Sequence, residues 1–440
     1  MIDLFREMIA GFFSGRADAG SASLFDLSFV AFIVTTVCYL IYLGGRRDGV
    51  WKTGRLFGLV AAIALTAALI LRWIAAGWAH PPFTNMYESL VFFVWGIVVV
   101  YLFVEFRYQV RIAGAFVMPL AGIAMGIASL SPNKEIEPLV PALQSVWLHL
   151  HVAVASIGYA AFLTAFVFSV LFLLKDKVRM NWFIVVAAGF VVFAVLGASK
   201  GAVIGGAAFP MDKTVMMNDT WIKEPLPGGA EGQFSQVVVP GAGPLLLAAL
   251  ILAVLTVIAA VPSKQRADLI LPTRALLATF VLLTAGLVWL FVKAHGMPDT
   301  RLAANPYALA LLVLGWLGCL LVLIFQWRNA ELMAALPSAE TLDRLGYKSV
   351  MVGFPLMTLV IVTGAIWANK AWGRPWGWDP KETASLVTWI IYLLYLHTRL
   401  TAGWTGRRSN LIAIVGFLSV IFTYLGVNLL LSGLHAYATG

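Results

Sequence analysis

Charged residues are scarce in this sequence. Only 12% of its 440 residues are Asp, Glu, Lys or Arg, whereas 61% are hydrophobic. A soluble globular protein carries about twice that charged fraction to keep its surface in water. The composition therefore excludes a soluble fold and indicates a multi-span membrane protein whose surface is solvated by lipid.

Cysteine is almost absent as well. Cys38 and Cys319 are the only two, each lies inside an apolar run, and the chain has no CxxC pair. This excludes a disulfide framework and a dithiol redox site. The sequence also lacks a GxGxxG turn before a helix and a Walker-type lysine, so no site for nucleotide-driven chemistry is visible.

Long apolar runs make up most of the remaining chain. Twelve of them are long enough to cross the ~30 Å hydrocarbon layer as helices, and none alternates with the period of two that a membrane barrel strand requires. We therefore predict an all-α polytopic membrane bundle of about twelve transmembrane helices. The predicted spans are 24–44, 55–76, 87–106, 112–130, 147–174, 181–198, 244–261, 271–293, 306–327, 349–368, 380–397 and 410–431.

Positive charge alternates between the connecting segments, and such residues accumulate in short cytoplasmic loops. Six segments hold 18 of the 30 Lys and Arg residues, namely 45–55, 107–111, 175–180, 262–274, 328–348 and 399–409. We predict a protein of the bacterial cytoplasmic (inner) membrane with both termini on the periplasmic side. The segment 199–243 would lie there as a Gly/Pro-rich external loop with no packed core of its own. The net charge of +9 is then a topology signal and indicates no nucleic-acid partner.

One outward segment, WGRPWGWDPKET at 372–383, has an unusual composition for a membrane protein. Its proline and glycines interrupt a helix, and Asp379, Pro380 and Glu382 form the sequence of a new helix start with a capping box. The three tryptophans have two interpretations. They belong to the aromatic belt at the membrane interface, or they form a flat platform for a large planar ligand.

Histidine placement narrows the ligand class. Five of the six histidines lie at predicted outer ends or in outward segments, namely His80, His149, His151, His295 and His435. A single histidine at a membrane boundary is usually only a polar side chain in contact with water and is not a ligand. His151 and His435, however, can reach the same face as the tryptophans. Two imidazoles above a tryptophan shelf suit a haem iron with two axial nitrogens. Zinc is the weaker alternative, because no cysteine or carboxylate cluster completes a tetrahedral set.

Four stretches of the sequence resemble one known family. They are WANKAWGRPWGWDPKETASLVTWIIYLLYLHTRLTAGWTGRRS (367–409), YLGVNLLLSGLHAY (424–437), RWIAAGWAHPPFTNMYESL (72–90) and LVPALQSVWLHLHV (139–152). Together they are similar to the tryptophan-rich (WWD) haem-handling proteins, and most closely to the CcsA/ResC group of the System II cytochrome c maturation machinery.

The resemblance implies that haem b is bound and attached to apocytochrome c on the outer side of the membrane, together with a ResB/CcsB-type membrane subunit. By position, His151 and His435 match the two external haem ligands, with His149 as a near neighbour of the first. His397 matches a ligand of an intramembrane haem, whose opposite ligand comes from the partner. The residues that match the porphyrin platform are Trp372, Trp376, Trp378 and Asp379.

The resemblance divides the chain into three regions. Residues 1–175 contain the first external haem ligand, 345–440 contain the tryptophan-rich motif, and 176–344 are an inserted region with four additional spans. Compact members of the family have only a short connection there. We predict no function for the insert beyond lipid-facing packing or docking of a partner.

The implied chemistry is the addition of apocytochrome thiols to the haem vinyl groups, for which this chain needs no catalytic residue of its own. Its cations could meet the haem propionates, and the outward candidates are Arg72, Arg374 and Lys381. Two functions stay open at this point: a component of a holocytochrome c synthase, and a haem transporter or chaperone without ligation activity. A quinone-linked redox subunit is a more remote third possibility.

Overall fold

A computed structural model describes most of the chain. The described residues are 16–77, 80–83, 85–130, 136, 144–176, 178–217, 220–228, 233–265, 267–295, 297 and 306–427. His435 therefore lies outside the described residues, as does the side chain of His295.

Helices dominate the described residues, as predicted. Their bounds are α1 Ala17–Gly45, α2 Asp48–Ala76, α3 Met86–Tyr108, α4 Gly114–Ser129, α5 Val146–Lys175, α6 Met180–Ala198, α7 Ala202–Gly206, α8 Ala242–Ala260, α9 Ile270–His295, α10 Pro306–Trp327, α11 Asn329–Ala335, α12 Ala339–Trp372, α13 Pro380–Thr401 and α14 Arg407–Ile421. Single 3₁₀ turns at Arg111–Ala113 and Ala267–Leu269 precede α4 and α9, and a π-helical turn, Phe422–Gly426, follows α14.

The protein is an all-α polytopic membrane bundle in which ten helices of the described chain are long and apolar enough to span a membrane. The predicted number of twelve is not confirmed. Ten of the predicted segments are matched, whereas α13 and α14 fall short. Helix α13 carries Lys381, Glu382, His397 and Arg399 within its 22 residues, and α14 has only 15 residues before the π-helical turn begins.

The chain divides into two compact units. The first contains the described residues up to 125, those of 134–176 and those from 335 onwards. Its centre is the long pairing of α5 with α12, against which α3 and α14 also pack. Gly353 of α12 allows this approach, because an added Cβ atom there would lie 2.7 Å from the ring of Phe162. Phe162 in turn stacks on Tyr392 of α13 with ring centroids 3.7 Å apart.

A buried ion pair connects α12, α13 and α14 at one end of this unit. Arg399 donates two hydrogen bonds to Asp343, at 3.1 and 2.5 Å, and Asn410 donates a third to the same carboxylate at 2.7 Å. A charge inside a membrane bundle is tolerated when it is paired in this way. The register of the three helices is therefore set by a polar cluster as well as by apolar packing.

The second unit contains the described residues of 126–133 and 177–334. Helices α6, α8, α9 and α10 pack around a core of small and branched side chains such as Ala188, Leu246, Leu283 and Leu312. Polar contacts also join its helices: Asn181 donates to the carbonyl of Ala260, Thr273 donates to Gln326, and the indole N–H of Trp316 donates to the hydroxyl of Thr284.

The segment 199–243 contains short strands that were not predicted from its sequence. Four strands form there, β1 Pro210–Asp212, β2 Thr214–Met217, β3 Thr220–Lys223 and β4 Gln236–Val238, with β1 paired to β4 and β2 paired to β3, both antiparallel. Cross-strand ion pairs join Lys213 to Glu224 and Lys223 to Asp212. Phe209, Met211 and Val239 are buried in the helical core of the same unit, so the strands rest on the bundle.

Candidate functional site

The tryptophan stretch forms a short turn between α12 and α13. Helix α12 ends at Trp372 because Gly373 adopts a left-handed conformation, with φ 72°, and donates its N–H to the carbonyl of Asn369. Glycine takes this conformation without steric cost. Residues 373–379 are not helical, as the prediction for this stretch required.

The predicted capping box at the start of α13 is confirmed. The carboxylate of Asp379 accepts a hydrogen bond from the N–H of Lys381, and that of Glu382 accepts from the N–H of Asp379, both at 3.2 Å. Glu382 also accepts from the N–H of Gly377 at 2.7 Å. Pro380 is the first helical residue, where its missing N–H costs nothing. The two carboxylates thus hold both the helix start and the preceding turn.

Trp378 is the most exposed tryptophan of the turn and lies in a strained conformation. Its φ is 57°, a left-handed value that costs a non-glycine residue ~1 kcal/mol or more, and 70% of the residue is exposed. Its ring meets the ring of Trp376 edge to face, with centroids 5.9 Å apart. The hydrogen bonds from Gly377 and Asp379 to Glu382 fix the backbone on both sides. The turn therefore holds a large aromatic ring outside the bundle at an energetic cost.

A second group of rings connects the turn to α5. Trp372 lies 4.9 Å from Trp367, and Trp367 lies 6.2 Å from the imidazole of His151, measured between ring centroids. Sequence reasoning missed Trp367 as a site residue, although it opens the quoted motif WANKAWG. Its position five residues before Trp372 on α12 was the available signal. The structure therefore brings His151 and Trp372 to one aromatic cluster through a residue that was not predicted.

The imidazole of His151 is held in one orientation by α12. Its Nδ1 is 2.8 Å from the carbonyl oxygen of Val360. A carbonyl oxygen can only accept, so Nδ1 carries the proton and Nε2 carries the lone pair. Gly364 provides the space for the ring, because an added Cβ atom there would lie 2.9 Å from Cε1 of His151. This is the tautomer and the support that a histidine ligand of a metal usually has.

His149 takes a different direction from the same helix. Its ring meets the ring of Phe83 edge to face at 5.9 Å, in the segment before α3, where His80 is also buried. The Nε2 atom of His149 is buried and has no hydrogen-bond partner among the described residues. Two residues along a helix differ by about 200° in direction, and this separates the two histidines of the LHLH motif: His151 faces the tryptophans and His149 does not.

His397 lies far from this cluster. It is exposed on α13, 18 residues after Asp379, and at 1.5 Å per residue this places the two about 27 Å apart along the helix. Its backbone carbonyl accepts a hydrogen bond from the hydroxyl of Thr401. A ligand of His397 would therefore occupy a different position from a ligand of His151, as the prediction of two haem positions requires.

The three cations considered for haem propionates have different environments. Arg72 forms a 2.6 Å ion pair with Glu88, whose side chain is fully buried, and its guanidinium also lies 5.2 Å from the ring of Tyr87. The charge of Arg72 is therefore already neutralised by a carboxylate inside the bundle. The guanidinium of Arg374 folds onto Gly377, and Lys381 lies beside Asp379 in the first turn of α13. Of the three, these two belong to the tryptophan turn.

Comparison with known proteins gives the family directly. The sequence matches the cytochrome c assembly protein family over residues 83–435. The chain belongs to the cytochrome c assembly protein family. This confirms the resemblance read from the tryptophan-rich motifs, and the matched range contains His151, the turn at 372–383, His397 and His435.

Individual relatives of this cytochrome c assembly protein are called cytochrome c biogenesis protein CcsA. The relative from Synechococcus elongatus is 31% identical over 419 residues, which cover 94% of this chain and 96% of the relative. The relative from Gloeobacter violaceus is 31% identical over 416 residues and the one from Pyropia yezoensis 29% over 420. Because the alignments cover 94% of the chain, they extend across most of the 176–344 region.

Proposed function

We propose that this protein binds haem at the outer face of the membrane and presents it to apocytochrome c for covalent attachment. It would act as the haem-handling component of a cytochrome c synthase, together with a ResB/CcsB-type membrane subunit. The observation that carries the proposal is the imidazole of His151, which donates from Nδ1 to Val360 and lies beside Trp367 and Trp372. Membership of the cytochrome c assembly family supports the choice of haem over another planar ligand.

The proposed site uses each of its residues for a separate task. His151 supplies an axial nitrogen through Nε2, and His435, outside the described residues, supplies the second. Trp372, Trp376 and Trp378 cover the porphyrin, which is a planar π system and packs well against aromatic rings. Asp379 and Glu382 hold the turn in place, and the haem propionates pair with Arg374 and Lys381.

The reaction needs positioning more than acid–base chemistry. Each thiol of the apocytochrome adds across one vinyl double bond of haem: sulfur bonds to one vinyl carbon and the thiol hydrogen is transferred to the other. The two additions involve no net oxidation or reduction of the reacting groups. A haem fixed by two axial ligands and an aromatic platform presents its vinyl edge to the peptide at high effective concentration, which is the main contribution a binding site can make.

We further propose that α13 and α14 cross the membrane with the ten candidate spans, which places the tryptophan turn and the termini on the periplasmic side of a bacterial inner membrane. The 21 residues from Asp379 to Arg399 reach ~30 Å as a helix, enough for the hydrocarbon layer. His397 would then ligate a second, intramembrane haem with a ligand from the partner subunit. Residues 1–175 and 345–440 would handle haem, and 176–344 would contribute packing or docking surface.

An absorption spectrum of the purified protein tests the haem proposal. We expect a reduced low-spin b-type signal after expression with sufficient haem. No haem signal in either the single chain or its complex with the ResB/CcsB-type subunit would contradict it. Holocytochrome formation separates the two candidate functions. A protein that binds haem but forms no holocytochrome with its partner present would be a transporter or chaperone.

A further inference from the structure

A cluster of basic side chains lies at the end of the first unit where α1 meets α2 and where α3 meets the 3₁₀ turn before α4. Its members are Arg46, Arg47, Lys52, Arg55, Arg107 and Arg111, which we call the arginine patch. It is remote in sequence from the tryptophan turn, and no residue of the proposed haem site belongs to it. We propose that the arginine patch binds the phosphate headgroup of an anionic phospholipid.

The centre of the arginine patch is the buried ring of Trp51. The guanidinium of Arg111 lies 3.8 Å from its centroid and that of Arg55 lies 4.6 Å from it. The indole N–H of Trp51 donates to Glu105, and so does the hydroxyl of Tyr39. Trp51 is therefore fixed by a buried carboxylate, and the two arginines that rest on it are held in place by a rigid surface.

The carboxylates near the arginine patch neutralise only part of its charge. Arg111 forms an ion pair with Asp48 at 3.0 Å. Glu105 accepts hydrogen bonds from Tyr39 and Trp51, two neutral donors, and its charge also attracts Arg55. Among the described residues, no other member of the patch has an ion pair. Six cations thus face two carboxylates, and the surplus positive charge lies at one end of the bundle.

The ring contacts of Arg55 and Arg46 leave guanidinium N–H groups without an acceptor among the described residues. Arg55 packs its flat face on Trp51 and on Phe106, at 4.8 Å, and has no hydrogen-bond acceptor within the described chain. Arg46 packs on Tyr42 at 5.0 Å, and its buried Nη1 atom has no partner there either. Ring stacking uses the face of a guanidinium, whereas its N–H groups lie in the plane and match phosphate oxygens in pairs.

The surrounding surface fits the acyl chains of the same ligand. Exposed apolar side chains lie within about two and a half helical turns of the arginines, on the candidate spans α1, α2 and α3. They are Val37, Ile41, Leu56, Phe103 and Phe106. Basic residues at the end of membrane helices recognise anionic lipid headgroups. A free phosphate would satisfy the arginines alone, whereas a phospholipid satisfies the arginines and the apolar surface together.

The test compares lipids on the purified full chain in neutral detergent. We would measure the thermal unfolding midpoint while adding phosphatidylglycerol, phosphatidylcholine with the same acyl chains, or inorganic phosphate, and count retained lipids by mass spectrometry. We expect stabilisation by phosphatidylglycerol only. Arg55→Gln and Arg46→Gln each remove one bidentate charged contact. Each variant should therefore bind phosphatidylglycerol with an apparent affinity about tenfold weaker than wild type. The matched control is Arg408→Gln, because Arg408 also stacks on a tryptophan, Trp404, outside the patch.

Each outcome decides the proposal. Equal stabilisation by the two phospholipids, or an unchanged response in both patch variants, overturns it. An equal response to inorganic phosphate would show an anion site without lipid recognition and also overturns it. Should Arg55→Gln fail to fold, Arg55→Lys keeps the charge but loses the planar fork. That variant should still lose phosphatidylglycerol relative to wild type, and full retention of the lipid would contradict the proposal.

Discussion

The Nδ1 atom of His151 donates a hydrogen bond to the carbonyl oxygen of Val360, 209 positions later in the chain and 2.8 Å away. In an α-helix that carbonyl normally accepts from the N–H four residues later, which is the N–H of Gly364. Gly364 is also the residue whose missing side chain makes room for the imidazole. One turn of α12 therefore determines both the tautomer and the position of the proposed haem ligand.

Replacement of His151 by glycine should abolish holocytochrome formation, because the iron loses an axial nitrogen. Added imidazole should restore part of the activity by filling the vacated position. The measurement is the yield of covalent haem in cytochrome c, with protein level checked by immunoblot. His149→Gly is the matched control and should remain near wild type, since His149 faces Phe83. The reverse pattern would show that the two histidines of the LHLH motif were assigned the wrong roles.

Gly364→Ala tests the support of His151 without removing it. The new methyl group would meet Cε1 of His151 at 2.9 Å, and overpacking of this kind costs about 1–3 kcal/mol. We expect the imidazole to shift and co-purified haem to fall roughly tenfold, which corresponds to 1.4 kcal/mol of binding free energy. Gly126→Ala is the control, because an added Cβ atom there has no neighbour within 4 Å among the described residues. Equal haem content in the two variants would contradict this role of Gly364.

Trp378→Gly separates a structural role from a functional one. Glycine relieves the left-handed strain of about 1 kcal/mol, so the thermal stability of the protein should stay equal or rise. Haem retention should nevertheless fall, because the platform loses a ring. Trp378→Phe should retain more haem than Trp378→Ala. Trp327 is 75% exposed and lies in the other unit, so Trp327→Ala should change neither quantity. Normal cytochrome assembly in Trp378→Ala would assign this ring to the interface belt.

Asp379→Ala removes one helix cap, and Ser338→Ala removes another. Both residues are N-caps whose side chains accept a backbone N–H at 3.2 Å, and loss of such a cap costs ~1 kcal/mol. A bundle of this size should tolerate either change at normal expression. We expect cytochrome assembly to fail only in Asp379→Ala, because that cap also positions the tryptophan turn. If protein level and activity fall in parallel in Asp379→Ala, the role of Asp379 is purely structural.

His397→Ala tests the second haem position. The exposed imidazole lies on a helix proposed to cross the membrane, where an uncompensated polar group is costly, so the variant should insert and fold normally. Co-purified haem should decrease in the complex with the partner subunit, as measured by the reduced absorption spectrum per unit of protein. Thr401→Ala removes the hydroxyl that donates to the His397 carbonyl and serves as the control. Unchanged haem content in His397→Ala would leave the histidine without a ligand role.

Local signals predicted the features that depend on neighbouring residues in the chain. The capping box at Asp379 and Glu382 needs only a span of four residues, and its pattern predicted the observed hydrogen bonds. Strands β1 and β4 were missed because they join segments more than 20 residues apart. Strands β2 and β3 pair locally between Thr214 and Lys223, and that local signal was overlooked in the sequence. The count of twelve spans is not confirmed for a different reason: α13 combines an apolar middle with four charged or imidazole side chains near its ends.

The sequence by itself determined the membrane class and the order of the helices, because apolar runs of about 20 residues can only become helices in a bilayer that offers no hydrogen bonds. Only the tertiary structure decided which of two histidines faces the tryptophans, that Trp367 connects His151 to Trp372, and that Arg72 is matched by Glu88. The first two depend on how α5 and α12 are rotated against each other, and the third depends on how α2 packs against α3. That rotation follows from the packing of many small contacts across the bundle, which no single stretch of the chain contains.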